Sequence, residues 1–451
     1  MSEGVFMKKF LLLIRNHQNS FRTIIAGFFL MILLGALLLC LPAASKEGSV
    51  SFTDALFTSA SASCVTGLVV FNTATQWTMF GRIVILLLIQ IGGLGVVTAL
   101  ILTMILTGRK IGIMERITMQ DAVSAHQTGG IIRFTIFFLC GTLLIESVGT
   151  ILLMFEFVPQ FGWIKGLGYA LFHSISAFCN AGFDILGIDA PFVSLTGYAD
   201  HTWMNIVICA LIITGGIGFL SWRDFMDHKF RFRQYRLQTK VILFTTAVLL
   251  VVPFLYFFFI EFDTYGMKER ILMSLFQAVT PRTAGFNTFD YGKMSESGLL
   301  ITIVLMIIGG APGSTAGGMK LTTAFIIGVS TLSSLGKKKE VNAFHRRIEN
   351  EAIANAMTLA TVYVLLLLCG TFFLSGYEKL PVISCMFECA SALGTVGLTT
   401  GITPTLHTAS KLILTAFMFF GRVGGLTLAY AMISITRKDL SRYPAEKLTV
   451  G

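Results

Sequence analysis

Charge is what this sequence has least of. Only 13% of its 451 residues are Asp, Glu, Lys or Arg, and acids are scarcer than bases, 24 against 34. Proline is rare as well, nine in all, and no C-x-x-C, H-E-x-x-H or G-x-S-x-G occurs. So little charge does not cover the surface of a soluble chain this long. The missing motifs remove thiol-redox, zinc-peptidase and serine-hydrolase chemistry. The eight cysteines are scattered, and Cys385 and Cys389 have no histidine beside them to complete a metal set, so they read as small buried hydrophobes. The seven histidines are equally dispersed; His173 reads as a packing residue, and the chain is expected not to be an enzyme.

What it has instead is apolar length. Hydrophobic residues make up 54% of the chain, with a mean hydropathy of +0.78. The runs Thr23–Leu41, Ile83–Leu106, Phe134–Phe157, Val241–Ile260 and Leu359–Leu374 approach or exceed the ~20 residues that cross a ~30 Å hydrocarbon core. The expectation is an all-α polytopic membrane protein. Residues 1–22 place two lysines, Lys8 and Lys9, just before Phe10–Ile14, but that run is short and no small-residue cleavage site follows it. They are expected to form a cytoplasmic N-terminal segment. Twenty-three of the 34 Lys and Arg lie before residue 23 and within 109–133, 223–240, 337–347 and 437–447. The positive-inside rule puts all five stretches, and with them both termini, on the cytoplasmic side. The net charge of +10 then records topology and contact with membrane lipids, not nucleic-acid binding.

Five stretches on one side require an even number of crossings between neighbours. A helix, a polar interval and a second helix recur four times, at about 23–106, 132–221, 240–335 and 352–435. With loops assigned to the unit they precede, pore units occupy 23–106, 107–221, 222–335 and 336–435, before a cytoplasmic tail, 436–451. The intervals share a pattern: "LFTSASASCVTGL" (56–68), "LFHSISAFCNAGF" (171–183), "LFQAVTPRTAGF" (275–286) and "MFECASALGTVGL" (386–398). Phe57, Phe172 and Phe387 stand ten residues before their glycine, and Phe276 nine, so the third copy is one residue short or bulged. The preceding stretches suit half-membrane re-entrant helices. Irregular backbone at that depth survives only in protein or against a wet cavity. The expected fold is therefore four tandem helix–pore-loop–helix units around one pore, with eight membrane-crossing and four re-entrant helices in pseudo-fourfold array.

A ring of backbone carbonyls replaces the water shell of a dehydrated alkali cation, and glycine lets successive carbonyls turn to one axis. Short helices aimed at that axis would present their partly negative C-termini. The candidate selectivity residues are Val65, Thr66 and Gly67; Asn180, Ala181 and Gly182; Thr283, Ala284 and Gly285; Thr395, Val396 and Gly397. Potassium is expected at Thr66, Gly67, Ala181, Gly182, Ala284, Gly285, Val396 and Gly397.

Thr395-Val396-Gly397-Leu398 resembles the potassium-channel filter T-V-G-Y, and the fourfold order resembles the Ktr/Trk/HKT superfamily of potassium transporters. "QAVTPRTAGFN" (277–287), "FHSISAFCNAGF" (172–183), "IQIGGLG" (89–95), "ITGGIGF" (213–219) and "FGRVGGLT" (420–427) are similar to the KtrB-type membrane subunit of bacterial Ktr uptake systems. The resemblance covers nearly the whole chain. It implies a bacterial inner (plasma) membrane protein and a homodimer with one pore per subunit. It also implies an octameric cytoplasmic RCK-type regulatory ring, of the KtrA type, that binds ATP or ADP and docks on the basic loops. Potassium is the implied transported ion, with sodium a candidate stimulator, and no organic cofactor is expected on this chain. A coupled secondary transporter, carrying potassium with sodium or protons, stands as the alternative to a gated channel-like pore.

Residues 307–323, "IIGGAPGSTAGGMKLTT", interrupt the second helix of unit three with ten consecutive small residues or proline. The order lacks the Gly-Lys-Ser/Thr of a nucleotide loop. In the resembled family the matching loop lies below the filter and gates the pore, which makes Gly309, Gly310, Gly313, Ser314, Thr315, Gly317, Gly318 and Lys320 gate candidates. The other membrane helices are expected to be continuous. Arg422, well inside the last helix, is a candidate to hold the gate or set a cavity charge. Arg282, three residues before Gly285, is expected to be pinned by Asp54 or Glu388, and Arg82 and Glu146 to serve as structural partners.

Overall fold

The computed structural model describes residues 20–108, 111–123, 129–187, 192–229, 231–425 and 446. The N-terminal segment up to residue 19 and the C-terminal tail other than Glu446 lie outside the described residues. Each unit supplies an outer helix, a pore helix and an inner helix.

The outer helices are Ser20–Leu39, Ile131–Phe161, Leu237–Tyr256 (continued by a π turn, Phe257–Glu261) and Asn350–Glu378. They are long and apolar enough to span a membrane, and protein covers only 28–39% of their most apolar stretches. The uncovered faces, with Phe29, Leu144 and Phe372 turned outward, suit hydrocarbon. Polarity is inverted inside: Ser59, Ser61, Ser63 and Thr66 are fully buried.

The pore helices are Phe52–Ser63, Trp163–Phe178, Met267–Val279 and Val382–Gly394. At 1.5 Å per residue each is about 18–24 Å long, too short to cross. Ser51 starts the first by accepting the Asp54 N–H at 3.1 Å. Small residues dock these helices on their outer partners, as in membrane helix pairs generally. Ser59 donates to the Ile32 carbonyl at 2.6 Å beside Gly35, and Ser174 to the Glu146 carbonyl at 2.7 Å beside Gly149. In unit four Cys389 and Gly370 meet in the same way. Ile32, Glu146 and Leu367, each three residues before its glycine, are therefore equivalent positions.

The inner helices depart from expectation. Met79–Leu94 turns through 94° onto Val96–Leu106, and Thr202–Gly216 turns through 94° onto Phe219–His228. Neither is continuous. The hinge is one glycine in nearly one conformation each time: Gly95 at φ 90°, ψ 136° and Gly218 at φ 93°, ψ 142°. Gly424, ending Thr408–Val423, has φ 92°, ψ 132°, and the chain beyond Gly425 is not described until Glu446. Only glycine adopts this backbone cheaply. In unit three a loop of 13 residues, 308–320, separates Glu296–Ile307 from Leu321–Leu335. The inner helices of units one and two thus break on a glycine and that of unit three on a loop, and the described helix of unit four ends at a glycine of the same conformation.

The described strands form one short hairpin, Asn342–Ala343 with Arg346–Arg347. Its turn residue Phe344 stacks on Phe325 at 6.3 Å and meets Phe244 edge-on at 6.1 Å, tying the foot of the broken helix to the third outer helix.

Candidate ion pathway and gate

Each pore helix ends one to four residues before a tight double turn. Val65, Asn180, Thr283 and Thr395 all take positive φ, 53–69°, and so do Gly67, Gly182, Gly285 and Gly397, 66–92°. A non-glycine residue there is uncommon, and four at equivalent positions mark one conformation used four times. The glycines also settle how the units are arranged. A Cβ on Gly67 would lie 2.5 Å from the Ala181 oxygen, on Gly182 2.8 Å from that of Ala284, and on Gly285 2.5 Å from that of Val396. On Gly397 it would run into the Thr66 oxygen. The strands follow one another 1-2-3-4 and back to 1, as a closed ring with no room for a side chain. All twelve sequence-predicted filter residues are in it.

The missing residue of unit three is taken out of the turn. Thr66, Ala181 and Val396 each donate their N–H five residues back, to Ser61, Ser176 and Ser391, at 2.8 Å. Ala284 donates only four back, to Thr280, at 3.0 Å. The copy is short, not bulged. Side chains brace the ring in two ways: Ser61 and Ser391 accept the Gly67 and Gly397 N–H groups at 3.0 Å, whereas Ser176 and Thr280 donate to the Phe183 and Phe286 carbonyls. The Asn180 amide, oriented with Nδ2 toward the Ala177 and Ile212 carbonyls at 3.0 and 3.2 Å, adds a brace to strand two.

The predicted gate residues lie directly beneath. Loop 308–320 is stitched to its neighbours by backbone: Ala311 N–H to Gly216 O at 3.0 Å, Phe219 N–H to Gly313 O at 2.8 Å, Gly318 N–H to Gly421 O at 3.1 Å. The Gly309 N–H reaches the Met319 oxygen at 2.8 Å, and the Leu321 N–H reaches the Gly310 oxygen at 3.1 Å, closing the loop's base. Gly317 abuts Thr395, and a Cβ on Gly318 would lie 2.8 Å from the Gly394 oxygen. The loop therefore presses on the lower rim of the ring. Thr315 donates to the Phe178 carbonyl, the last of pore helix two, at 3.1 Å. Ser314 donates to Ala311 O at 2.6 Å and Lys320 Nζ to Ala316 O at 2.7 Å, folding the loop on itself.

Arg422 is the clasp. It stands where units one and two have Gly93 and Gly216, the second glycine of the pair before the hinge. Its guanidinium donates to the Thr315 carbonyl on the loop and to Gly92 and Gly93 of unit one, the last at 2.9 Å. One side chain from unit four thus joins units one and three. Arg422 and Lys320 also line a cavity of about 260 Å³ on the far side of the loop from the ring.

The expected partners of Arg282 are engaged elsewhere. Asp54 pairs with Lys411 at 2.8 Å, linking units one and four. Glu388 accepts from Thr399, from the Thr400 N–H at 3.2 Å and from Thr403 at 2.8 Å. Arg282 is buried and donates to Thr246 at 3.1 Å, so a hydroxyl on its own unit's outer helix holds it behind the ring. Arg82 and Glu146 are not partners either: Arg82 donates to the Ala74 carbonyl, and Glu146 accepts from Gln90 at 3.1 Å. His173 packs as expected, its Nδ1 2.8 Å from the Tyr169 oxygen and its ring 5.2 Å from Phe157. Gln90 gave no sign of itself in the sequence, being one polar residue in an apolar helix.

Comparison with known proteins agrees with this architecture. The TrkH family model, described as cation transport protein, matches residues 8–441. The chain is 39% identical to the potassium/sodium uptake protein NtpJ of Enterococcus hirae, over 97% of this chain and 98% of that one. It is 41% identical to the Ktr system potassium uptake protein B of Bacillus subtilis, over 94% and 95%. Among solved structures, the potassium transporter TrkH from Vibrio parahaemolyticus superposes with a TM-score of 0.74 at 17% identity, covering 93% of this chain and 86% of that one. The chain belongs to the TrkH family of cation transport proteins, a polytopic membrane protein of the Ktr/Trk type.

Proposed function

We propose that the chain takes up potassium across the bacterial cytoplasmic membrane through a gated, channel-like pore, driven by the membrane potential. The observation that carries the reading is the closed ring of four backbone turns. Its Thr66, Ala181, Ala284 and Val396 carbonyls, with those of the adjoining Gly67, Gly182, Gly285 and Gly397, would replace the hydration shell of the ion. Loop 308–320 is the gate. It closes the path below the ring and is held shut by Arg422, whose charge, with that of Lys320, also repels cations from the cavity beneath. One filter glycine per unit, against two in T-V-G-Y-G, gives weaker rejection of sodium than in dedicated channels. Sodium stimulation fits a relative named for uptake of both ions.

Assembly follows the same reading. Relatives named as protein B of a Ktr system support a further component of the system, which on this reading is an octameric, nucleotide-binding ring of RCK type beneath a homodimer of this chain. The basic cytoplasmic segments, including the hairpin at 342–347, are its docking points. The nucleotide belongs to that ring, and both termini of this chain are cytoplasmic.

Rubidium uptake into proteoliposomes tests the mechanism. Uptake that follows an imposed potential and ignores an imposed sodium or proton gradient supports the channel-like pore. Uptake driven by either gradient without a potential would replace it with coupled secondary transport.

A further inference from the structure

Glu146 is costly where it lies and unnecessary for packing. It is 4% exposed at the middle of an outer helix that spans the membrane. An ionisable side chain at such a depth is expensive to keep and is a mark of function. The equivalent residues of units one and four are Ile32 and Leu367, buried to the same degree at 5% and 6% exposure. The fold therefore accepts an aliphatic residue at this position. Its partner is just as singular: Gln90 corresponds to Ile213 in unit two and Phe419 in unit four, counted from the glycines that follow at 92, 215 and 421. A polar pair has been set into two positions that are each apolar in two other units of the same molecule.

What the pair touches suggests why. Gln90 Nε2 donates to Glu146 Oε2 at 3.1 Å, joining the inner helix of unit one to the outer helix of unit two. The Cys179 thiol lies 3.7 Å from Gln90 Oε1 and 3.8 Å from Glu146 Oε1. Cys179 caps pore helix two, and the next residue, Asn180, opens the filter turn. Two and three residues beyond Gln90 are Gly92 and Gly93, whose carbonyls Arg422 holds. Arg422 also holds Thr315 of the gate loop, and Thr315 donates to Phe178, the residue before Cys179. The contacts close a circuit around the end of pore helix two: Glu146, Gln90, Gly92 and Gly93, Arg422, Thr315, Phe178 and Cys179.

We infer that Glu146 and Gln90 are a positioning pair that couples the gate loop to filter strand two. They hold the hinge of unit one at the register where Arg422 reaches both its carbonyls and the gate. The same bond fixes the cap from which Asn180, Ala181 and Gly182 depart. Release of Arg422 from the gate would then be felt at one strand of the filter. The inference rests on the filter and gate reading above.

The test measures potassium-over-sodium preference and closed-state leak in proteoliposomes for E146L, Q90L, the double variant, E146Q and G182S. E146L repeats what unit four already has, so folding is expected to survive, and Q90L reaches the same bond from another helix. E146L and Q90L should each lower the preference about threefold to tenfold and raise the leak, and the double variant should be no worse than either, as for residues sharing one interaction. E146Q still accepts the amide proton and should restore most of both. The inference is overturned if E146L and Q90L match the wild type while G182S shifts the preference, if their effects simply add, or if E146Q is as damaged as E146L. Should G182S also change nothing, the filter reading fails and the pair's role falls with it.

Discussion

The ring proposed as the filter and the layer of breaks beneath it are built from the same four units, yet they have diverged in opposite ways. In the ring the side chains differ (Cys-Val-Thr, Cys-Asn-Ala, Arg-Thr-Ala and Gly-Thr-Val before the glycine) while the backbone is repeated four times, down to the positive φ two residues before each glycine. In the break layer the backbone itself differs. Units one and two turn on a single glycine, unit four reaches a glycine of the same conformation, and unit three spends 13 residues on its break. On the proposed reading carbonyls do the chemistry of the ring, so sequence is free to drift as long as the dihedrals stay. A gate needs one element that can move against fixed neighbours, so symmetry has to be broken. The arginine in place of a glycine at 422 and the inserted loop at 308–320 are two halves of that one asymmetry.

Breaking the comparison at the gate should have the largest effect. Deleting residues 311–317 removes most of the asymmetric element. Rubidium flux should then be constitutive, with no remaining response to the closed state, and flux that stays gated would remove the loop from its role. Next comes the clasp. Hydrogen bonds to a charged group contribute about 1.5–3 kcal/mol, so R422Q should raise the closed-state leak at least about tenfold. R422K keeps the charge but reaches fewer carbonyls than a planar guanidinium and should fall between. Equal leak in all three proteins would make Arg422 a bystander.

The ring should respond more narrowly. G285S pushes a Cβ against the Val396 carbonyl and should lower potassium-over-sodium preference about tenfold, equal to about 1.4 kcal/mol, with gating intact. The smallest effect is expected at a hinge. A Cβ on Gly95 meets only Thr98, at 3.9 Å, so G95A isolates the cost of its φ of +90°. That strain is about 1–3 kcal/mol, readable as a lowered thermal midpoint with selectivity unchanged. A midpoint equal to the wild type would mean the hinge can straighten.

The ring could be read from the sequence because it repeats: a phenylalanine, small residues and a glycine recur at ten or nine positions, and glycine in such a frame has a backbone reason to be there. The third copy's shortness was visible too, though not that an i−4 bond would absorb it. The long break was legible because nine small residues and a proline in one run cannot continue a helix. The hinges at Gly95, Gly218 and Gly424 were not, since one glycine in an apolar helix is ordinarily tolerated. Their shared spacing, a glycine three residues after Gly92, Gly215 and Gly421, was the available signal. Partners were the least legible. Arg282 takes a hydroxyl where a carboxylate was expected, and Asp54 goes to Lys411, because pairing depends on which faces of neighbouring units meet. The Gln90–Glu146 pair lies 56 positions apart and has no periodicity to announce it.

The central claim is that one closed ring of four backbone turns binds the transported ion. Crystals grown in rubidium and measured at its absorption edge test this most directly. The account predicts anomalous density on the axis of the ring, level with the carbonyls of Thr66, Ala181, Ala284 and Val396, and weakened there in G285S. Density confined to the cavity beside Arg422 and Lys320, with none in the ring, would contradict it.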